Sequence, residues 1–342
     1  MNQVTPEKLA GLDRLLRTSG PVCIVTHAHP DGDAMGSSIA LSDFVRVHYG
    51  HQAPILIPDA APEELAFLCE GETILVAGRD SEALSLPGRS GLILCADFNR
   101  LSRIGALEEA VGAATCPKVL IDHHLNPDPE PFSLIFSRTD ISSASELAYQ
   151  ILTAMPQTDG RADRLPRKCA LALMTGMTTD TNNFANSVYP STLRMAAELL
   201  EAGVHRDSII RHLYFEYRET RVRAISSLLQ DHLSISENGI ALIVVTRAFL
   251  DSLGARDDEL EGLVNIPLSI ARVRMSLLLR EDEGFFRVSI RAKQGYSANR
   301  LAMTYFHGGG HELAAGGRLF IPDDIPDKSM AGDYVRKVTA EL

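Results

Sequence analysis

The sequence predicts an α/β protein: a doubly wound, mainly parallel sheet joined by a helical connector to a smaller mixed α+β domain. Three observations carry that expectation. The first half alternates short, continuously apolar runs with helical stretches of about 10–15 residues, the pattern of parallel strands buried on both faces beneath crossover helices. Residues 191–232 are helical in pattern throughout, and no Gly/Ser/Pro-rich stretch loosens them. Beyond residue 232, strands follow one another in near-hairpin succession, which belongs to a mixed domain.

Taken in order, the first strand is predicted over 21–27 (PVCIVTH), and a helix over 34–50 that Gly50 closes. A second strand covers 52–58, with a short helical stretch over 62–69. Strands at 91–98 (GLILCADF) and 118–124 (KVLIDHH) flank a helix at 104–114. Helical stretches at 143–155 and 166–179 complete the layer. The first domain is therefore expected over 1–190, the connector over 191–232 and the second domain over 233–342. In the second domain, strands are predicted over 239–246, 272–281 and 284–293. A Gly-rich loop at 308–317 (GGGHELAAGG) follows, with a helix expected to start at ELAA.

Length and composition set the bounds. At 342 residues the chain suits two domains, and 45% hydrophobic with 23% charged residues is the balance of a globular protein. No apolar run approaches the ~20 residues that span a bilayer, and the N-terminus has no apolar segment behind its charges. A cytoplasmic location is expected. The five cysteines are scattered without a CxxC pair, as for buried thiols in a reducing compartment. A net charge of −11 argues against a protein that grips long nucleic acid through many phosphates. It leaves room for a small anion in a local basic pocket.

The stretch IVTHAHPDGDAMG (24–36) concentrates the chemistry. Ligands of a doubly wound sheet bind beyond the carboxyl ends of its strands, and His27, Asp31 and Asp33 lie at such an end. Asp97 ends GLILCAD, while Asp122, His123 and His124 end KVLIDHH. Asp180 ends the helical ALALMTGMTTD. Singly each has a plain explanation: Asp33 could cap a helix beginning at Ala34, and the others could be turn or loop residues. Four segments converging on one sheet edge make a site. A His/Asp set without thiolates argues against structural zinc and suits Mn²⁺ or Mg²⁺. Even two imidazoles and four carboxylates from this set exceed the needs of one ion and suit two ions roughly 3.5–4 Å apart. Such a pair needs a bridging carboxylate, and Asp97, alone on its strand end, is the candidate. The chemistry expected is hydrolysis at phosphorus.

Four ionised aspartates and two divalent ions nearly cancel, so a bound phosphate would still need cations. Between Phe285 and Arg318 there are five (Arg287, Arg291, Lys293, Arg300, Arg318) against one acid, Glu312. Gly308, Gly309 and Gly310 would let backbone N–H groups approach a phosphate at the expected helix start, with His311 beside them. Tyr296, Tyr305 and Phe306 are either a base-stacking surface or core.

HAHPDGD, the lone Asp97 of CADFNR, DHH and TTDTNNF match, in order, the four motifs of the DHH phosphoesterase family. The loop GGGHELAAGG resembles the DHH-associated C-terminal domain. Length and arrangement resemble the nano-RNase/pAp-phosphatase branch, over essentially the whole chain. The resemblance implies one ion held by His27, Asp31 and Asp97, and another by Asp33, Asp97, His123 and Asp180. Asp122 would orient an imidazole and His124 would face the substrate phosphate. Arg291, Gly309, Gly310 and His311 would form the phosphate pocket, with Asn299 a further candidate, whereas His29 falls in a variable slot. The cofactors implied are two divalent ions, Mn²⁺ first and Mg²⁺ or Co²⁺ as alternatives. The substrates implied are very short single-stranded oligoribonucleotides, degraded to nucleoside monophosphates, and 3′-phosphoadenosine 5′-phosphate (pAp), which would lose its 3′-phosphate. Long nucleic acid and membranes are not expected partners, and a homodimer is compatible with the resemblance. The same motifs would also serve a phosphodiesterase for cyclic or linear dinucleotides such as c-di-AMP and pApA. From another class, a nucleotide-binding module with an inactive metal site is the alternative.

Overall fold

The computed structural model describes residues 4–340 and 342. They form two compact units, one ending at Glu216 and the other beginning at Tyr217. The first contains β1 (Val22–Val25), β2 (Ile55–Ile57), β3 (Ile74–Val76), β4 (Leu92–Ala96), β5 (Lys118–Asp122) and β6 (Leu134–Ser137). All neighbours pair in parallel, in the order β3-β2-β1-β4-β5-β6. Every residue of β1, β4 and β5 is buried, because successive side chains enter opposite cores. Ile24, Leu94 and Val119 face the helices Gly32–Tyr49, Ala144–Ala154 and Arg167–Asp180. Cys23, Ile93 and Leu120 face Ile104, Leu107 and Val111 on the other side. This is the doubly wound sheet the apolar runs predict.

Several details differ from the expectation. The edge strands β3 and β6 escape notice in the sequence because three or four residues, all but Phe136 half-buried, carry too little periodicity. The helix after β1 starts at Gly32, and its cap is Asp31, not Asp33. Asp31 Oδ1 accepts from the N–H of Asp33 and of Ala34, both at 3.0 Å. The boundary between units falls within the stretch 191–232. Helices Pro190–Glu201 and Arg206–Tyr214 bury Met195, Leu199, Ile209 and Leu213 in the first core, whereas Ala224 and Leu228 join a core of the second unit. Amphipathic helices dock on the nearest apolar surface, and here two different surfaces claim them.

The second unit contains β7 (Leu233–Ile235), β8 (Ile240–Val245), β9 (Met275–Asp282), β10 (Phe285–Ala292), β11 (Gly309–Gly310) and β12 (Ala314–Phe320), ordered β11-β12-β10-β9-β8-β7. Only β8 and β9 pair in parallel; the other neighbours are antiparallel. Gly284, at φ 76° in the turn between β9 and β10, allows the tight hairpin. The helix expected at ELAA does not form. That segment runs into β12, which pairs with β10 from Arg291↔Ala314 to Phe285↔Phe320. The glycines explain why: a Cβ on Gly308 would sit 1.9 Å from the Gly316 carbonyl oxygen. They permit close backbone approach between strands, and they are poor helix formers. Phe306 is fully buried and Tyr296 packs against the same core, whereas Tyr305 is exposed.

Candidate metal centre

Strand order builds the site. Chain progression reverses at β1, whose neighbours are β2 and β4, and crevices open at such switch points. His27 lies just past β1, Asp97 just past β4, and His123 and His124 just past β5. Thr26 Oγ1 donates to the Ala96 carbonyl at 2.9 Å, tying two of these ends together. Asp97 adopts φ 63°, a left-handed conformation that Asp tolerates, while its N–H stays bonded to the Ile121 carbonyl at 3.0 Å.

Asp97 is the centre of the cluster and only 1% exposed. Its Oδ2 lies 3.4 Å from His27 Nε2, and its Oδ1 3.4 Å from His123 Nε2 and 3.7 Å from His124 Nδ1. That Oδ1 is buried, yet no donor stands in hydrogen-bond geometry to it among the described residues. Asp31 Oδ1 is 3.9 Å from His27 Nε2; Asp33 Oδ2 and Asp180 Oδ2 are 3.9 and 3.6 Å from His123 Nε2. Donor atoms of His27, Asp31 and Asp97 lie within 4.8 Å of one another, as do those of Asp33, Asp97 and His123. Asp97 belongs to both sets, one oxygen toward each. Oxygen and nitrogen ligands about 2.0–2.2 Å from a common ion are separated by comparable distances. An Oδ1 without a hydrogen bond, in a donor set of carboxylates and imidazoles with no thiolate, therefore fits divalent cations.

Neighbouring groups hold these side chains in place. His27 Nδ1–H donates to the Ala28 carbonyl at 2.9 Å, which directs Nε2 toward the carboxylates. Both oxygens of Asp33 accept backbone N–H groups, from Ala144 at 2.7 Å and Ser145 at 2.9 Å, at the positive end of the helix Ala144–Ala154. Asp122, fully buried, accepts from His124 Nδ1 at 2.7 Å and from the His124 N–H at 3.1 Å. Helices Gly32–Tyr49 and Arg167–Asp180, which carry Asp33 and Asp180, meet through glycine. A Cβ on Gly36 would lie 2.6 Å from the Ala172 carbonyl oxygen, and one on Gly176 would lie 2.9 Å from Asp33 Oδ1.

Burial disfavours charge throughout the cluster, and proximity opposes it. Burial would raise Asp97, but His123, His27 and His124 hold its carboxyl well below the usual range. Burial would lower His27 and His123, but the surrounding carboxylates, Asp97 first among them, lift them to about 9 and about 10. Asp33 is pushed well above the usual range by burial and by the charges of Asp97 and Asp180. Asp180 rises to about 7, through burial and through Asp31 and Asp97 against the pull of His123. Without a cation, protons on the imidazoles and acids hold the cluster together; a cation would take their place.

In the second unit, Arg291, Asn299, Gly309, Gly310 and His311 gather at one end of the sheet. Arg291 on β10 pairs with Ala314, whose carbonyl accepts from the His311 N–H at 2.7 Å. Asn299 Oδ1 accepts from the Gly310 N–H at 2.9 Å, and Gly310 has φ 151°. Of the basic residues counted in the sequence, Arg287 is paired with Asp282 and Asp257. His29 stands apart from the metal-competent groups, its N–H on Asp59 Oδ2 at 2.8 Å. Sequence reasoning did not find the amides of Ala144 and Ser145 or the glycines Gly36 and Gly176. The pattern SASE before an apolar helix, with its capping-box spacing, was the signal for the first pair.

The DHH family N-terminal domain matches residues 21–177, and the DHHA1 domain matches residues 238–327. The bifunctional oligoribonuclease and PAP phosphatase NrnA of Bacillus subtilis is 27% identical over 321 residues, covering 92% of this chain and 94% of that protein. Its namesake in Thermus thermophilus is 30% identical over 318 residues, covering 92% and 89%. The crystal structure of an exopolyphosphatase-related protein from Bacteroides fragilis aligns with a TM-score of 0.90 at 31% identity, covering 99% of this chain and 97% of that one. The chain belongs to the DHH family of phosphoesterases. It is a hydrolase of phosphate esters, in a family that depends on metal ions, and it carries grouped carboxylates and imidazoles of the kind such ions need. Among the described residues, no helix is long and apolar enough to cross a membrane.

Proposed function

We propose that this protein is a two-metal phosphohydrolase that degrades very short oligoribonucleotides to nucleoside monophosphates and removes the 3′-phosphate of pAp. The observation that carries the proposal is Asp97: one carboxylate with its two oxygens facing two imidazoles, His27 and His123, at equal distances of 3.4 Å. His27, Asp31 and Asp97 would hold one ion, and Asp33, Asp97, His123 and Asp180 the other. Mn²⁺ suits the carboxylate-rich set best, with Mg²⁺ or Co²⁺ as substitutes. Bound there, the ions supply a water nucleophile at neutral pH and neutralise charge on the attacking and leaving oxygens.

The chain's own groups do the rest. Asp122 fixes the His124 ring through Nδ1 and would leave Nε2 free to face the substrate, as a donor to a phosphate oxygen when the ring carries both protons. Residues 1–190 would carry the chemistry and 233–342 the substrate contacts, with the stretch 191–232 shared between the cores of the two units. Arg291, Asn299, Gly309, Gly310 and His311 would take the anionic charge that the near-neutral metal site leaves over. Short oligoribonucleotides and pAp are favoured as substrates because two curated relatives bear that pair of activities in their name. The five free cysteines fit a reducing, cytoplasmic compartment.

Initial rates on pAp, pApA, longer RNA and c-di-AMP in the same Mn²⁺ buffer test the proposal. Turnover of pAp and pApA above the other two is expected, and Asp97→Ala should abolish it. Preferential cleavage of c-di-AMP would reassign the substrate, and near-normal turnover by Asp97→Ala would remove the metal bridge from the mechanism.

A further inference from the structure

A buried carboxylate outside the metal-competent set ties the segment whose N–H groups hold Asp33 to the helix that follows the loop after Asp180. Glu146 is 0% exposed. Its Oε2 accepts three hydrogen bonds: from the Ser142 N–H at 3.1 Å, Ser142 Oγ at 2.5 Å and Thr192 Oγ1 at 2.6 Å. Its Oε1 is buried with no hydrogen-bond partner among the described residues. Helix capping alone does not require this arrangement. In a capping box the side chain returns to the N–H of the cap residue, which here is Ser143. Glu146 instead reaches past it to Ser142 and across to another helix.

Each bond leads toward the metal centre. Ser142 precedes the cap Ser143, whose Oγ accepts from the Glu146 N–H at 2.9 Å. The next two residues, Ala144 and Ser145, give the N–H groups that hold both oxygens of Asp33. On the other side, Thr192 Oγ1 also accepts from the Tyr189 N–H at 3.1 Å. Tyr189 ends the loop that starts after Asp180, a loop in which Asn182, Asn183, Phe184 and Ser187 all have positive φ. Left-handed residues in such a run are strained and persist only where both ends of the segment are held.

We infer that Glu146 is a positioning residue for the second metal ion, setting Asp33 through the helix N-terminus and Asp180 through Thr192. The inference rests on the proposed two-ion centre. Nothing in its contacts reaches His27 or Asp31, so the first ion should be indifferent to it.

The test is a calorimetric titration of Mn²⁺ into the full, chelator-treated chain, with thermal unfolding of the metal-free protein alongside. Wild type should take up two ions. Glu146→Ala should keep the first at wild-type affinity and bind the second about 10–100-fold more weakly, the range for groups that orient metal ligands. Glu146→Gln retains an oxygen in place of Oε2 and should restore the second site. Thr192→Val removes the hydroxyl that joins Glu146 to Tyr189 and leaves the bonds from Ser142 in place; it should weaken the same ion, which keeps the test open should Glu146→Ala fail to fold. Two ions bound by Glu146→Ala with unchanged affinities, or equal weakening of both, would overturn the inference while leaving the metal centre intact. Fewer than two ions in the wild type would overturn the centre itself and this role with it.

Discussion

Gly36→Ala probes how closely the two ligand-bearing helices must approach. The added Cβ would meet the Ala172 carbonyl oxygen at 2.6 Å and the Gly176 Cα and N at 2.9 Å, all backbone atoms that cannot rotate away. Ordinary contact begins near 3.4 Å, so helices Gly32–Tyr49 and Arg167–Asp180 must separate by about 0.8 Å. Overpacking of a tight core costs about 1–3 kcal/mol, and a domain of this size loses about 2–4 °C of Tm for each of those kcal/mol. The same movement draws Asp33 and Asp180 apart around His123. A misplacement of about 1 Å at reacting groups lowers rates by about 10²-fold, so kcat on pApA should fall by about that factor. Gly78→Ala serves as control, because nothing lies within 4 Å of its Cβ and its φ is not positive; it should change neither quantity. A Gly36→Ala protein with wild-type Tm and kcat would refute the reasoning, since the seam would then have slack that the geometry denies.

Metal binding should expel protons. In the metal-free protein the surrounding carboxylates lift His27 and His123 to about 9 and about 10, which favours protonated rings at pH 7, and ligation requires them neutral. Calorimetry of Mn²⁺ binding at pH 7 in buffers of different ionisation enthalpy should therefore report protons released from both rings and further protons from the raised carboxyls of Asp33 and Asp180, with affinity weakening as pH falls; heats independent of buffer would contradict this. The sign for stability follows from the same shifts. Raised imidazoles stabilise the metal-free fold fully below their ordinary value of about 6.5, and that contribution is lost as pH rises through about 9 and about 10. His311→Ala should retain both ions and lose about 10²–10³ in rate, as for removal of one transition-state donor. Loss of metal in that variant would move His311 from the substrate to the ions.

Much of this protein is determined by local sequence. Alternating side chains in VCIV, LILCA and KVLID enter two cores, and with helical stretches between them a covered parallel sheet buries both sets, the crossovers placing helices on both faces. The metal-competent residues are legible for the same reason: a strand end is a fixed place, and His27, Asp97 and His123 each lie within two residues of one. Two decisions belong to tertiary structure alone. Whether GGGHELAAGG becomes a helix start or a strand pair depends on β10 being available beside it, and the glycines admit that partner where any Cβ would collide. Which groups hold Asp33 depends on the helix Ala144–Ala154 arriving more than a hundred residues later in the chain. Periodicity records how one segment meets water or core; it holds no record of the distances between segments, and at this site those distances set the charge.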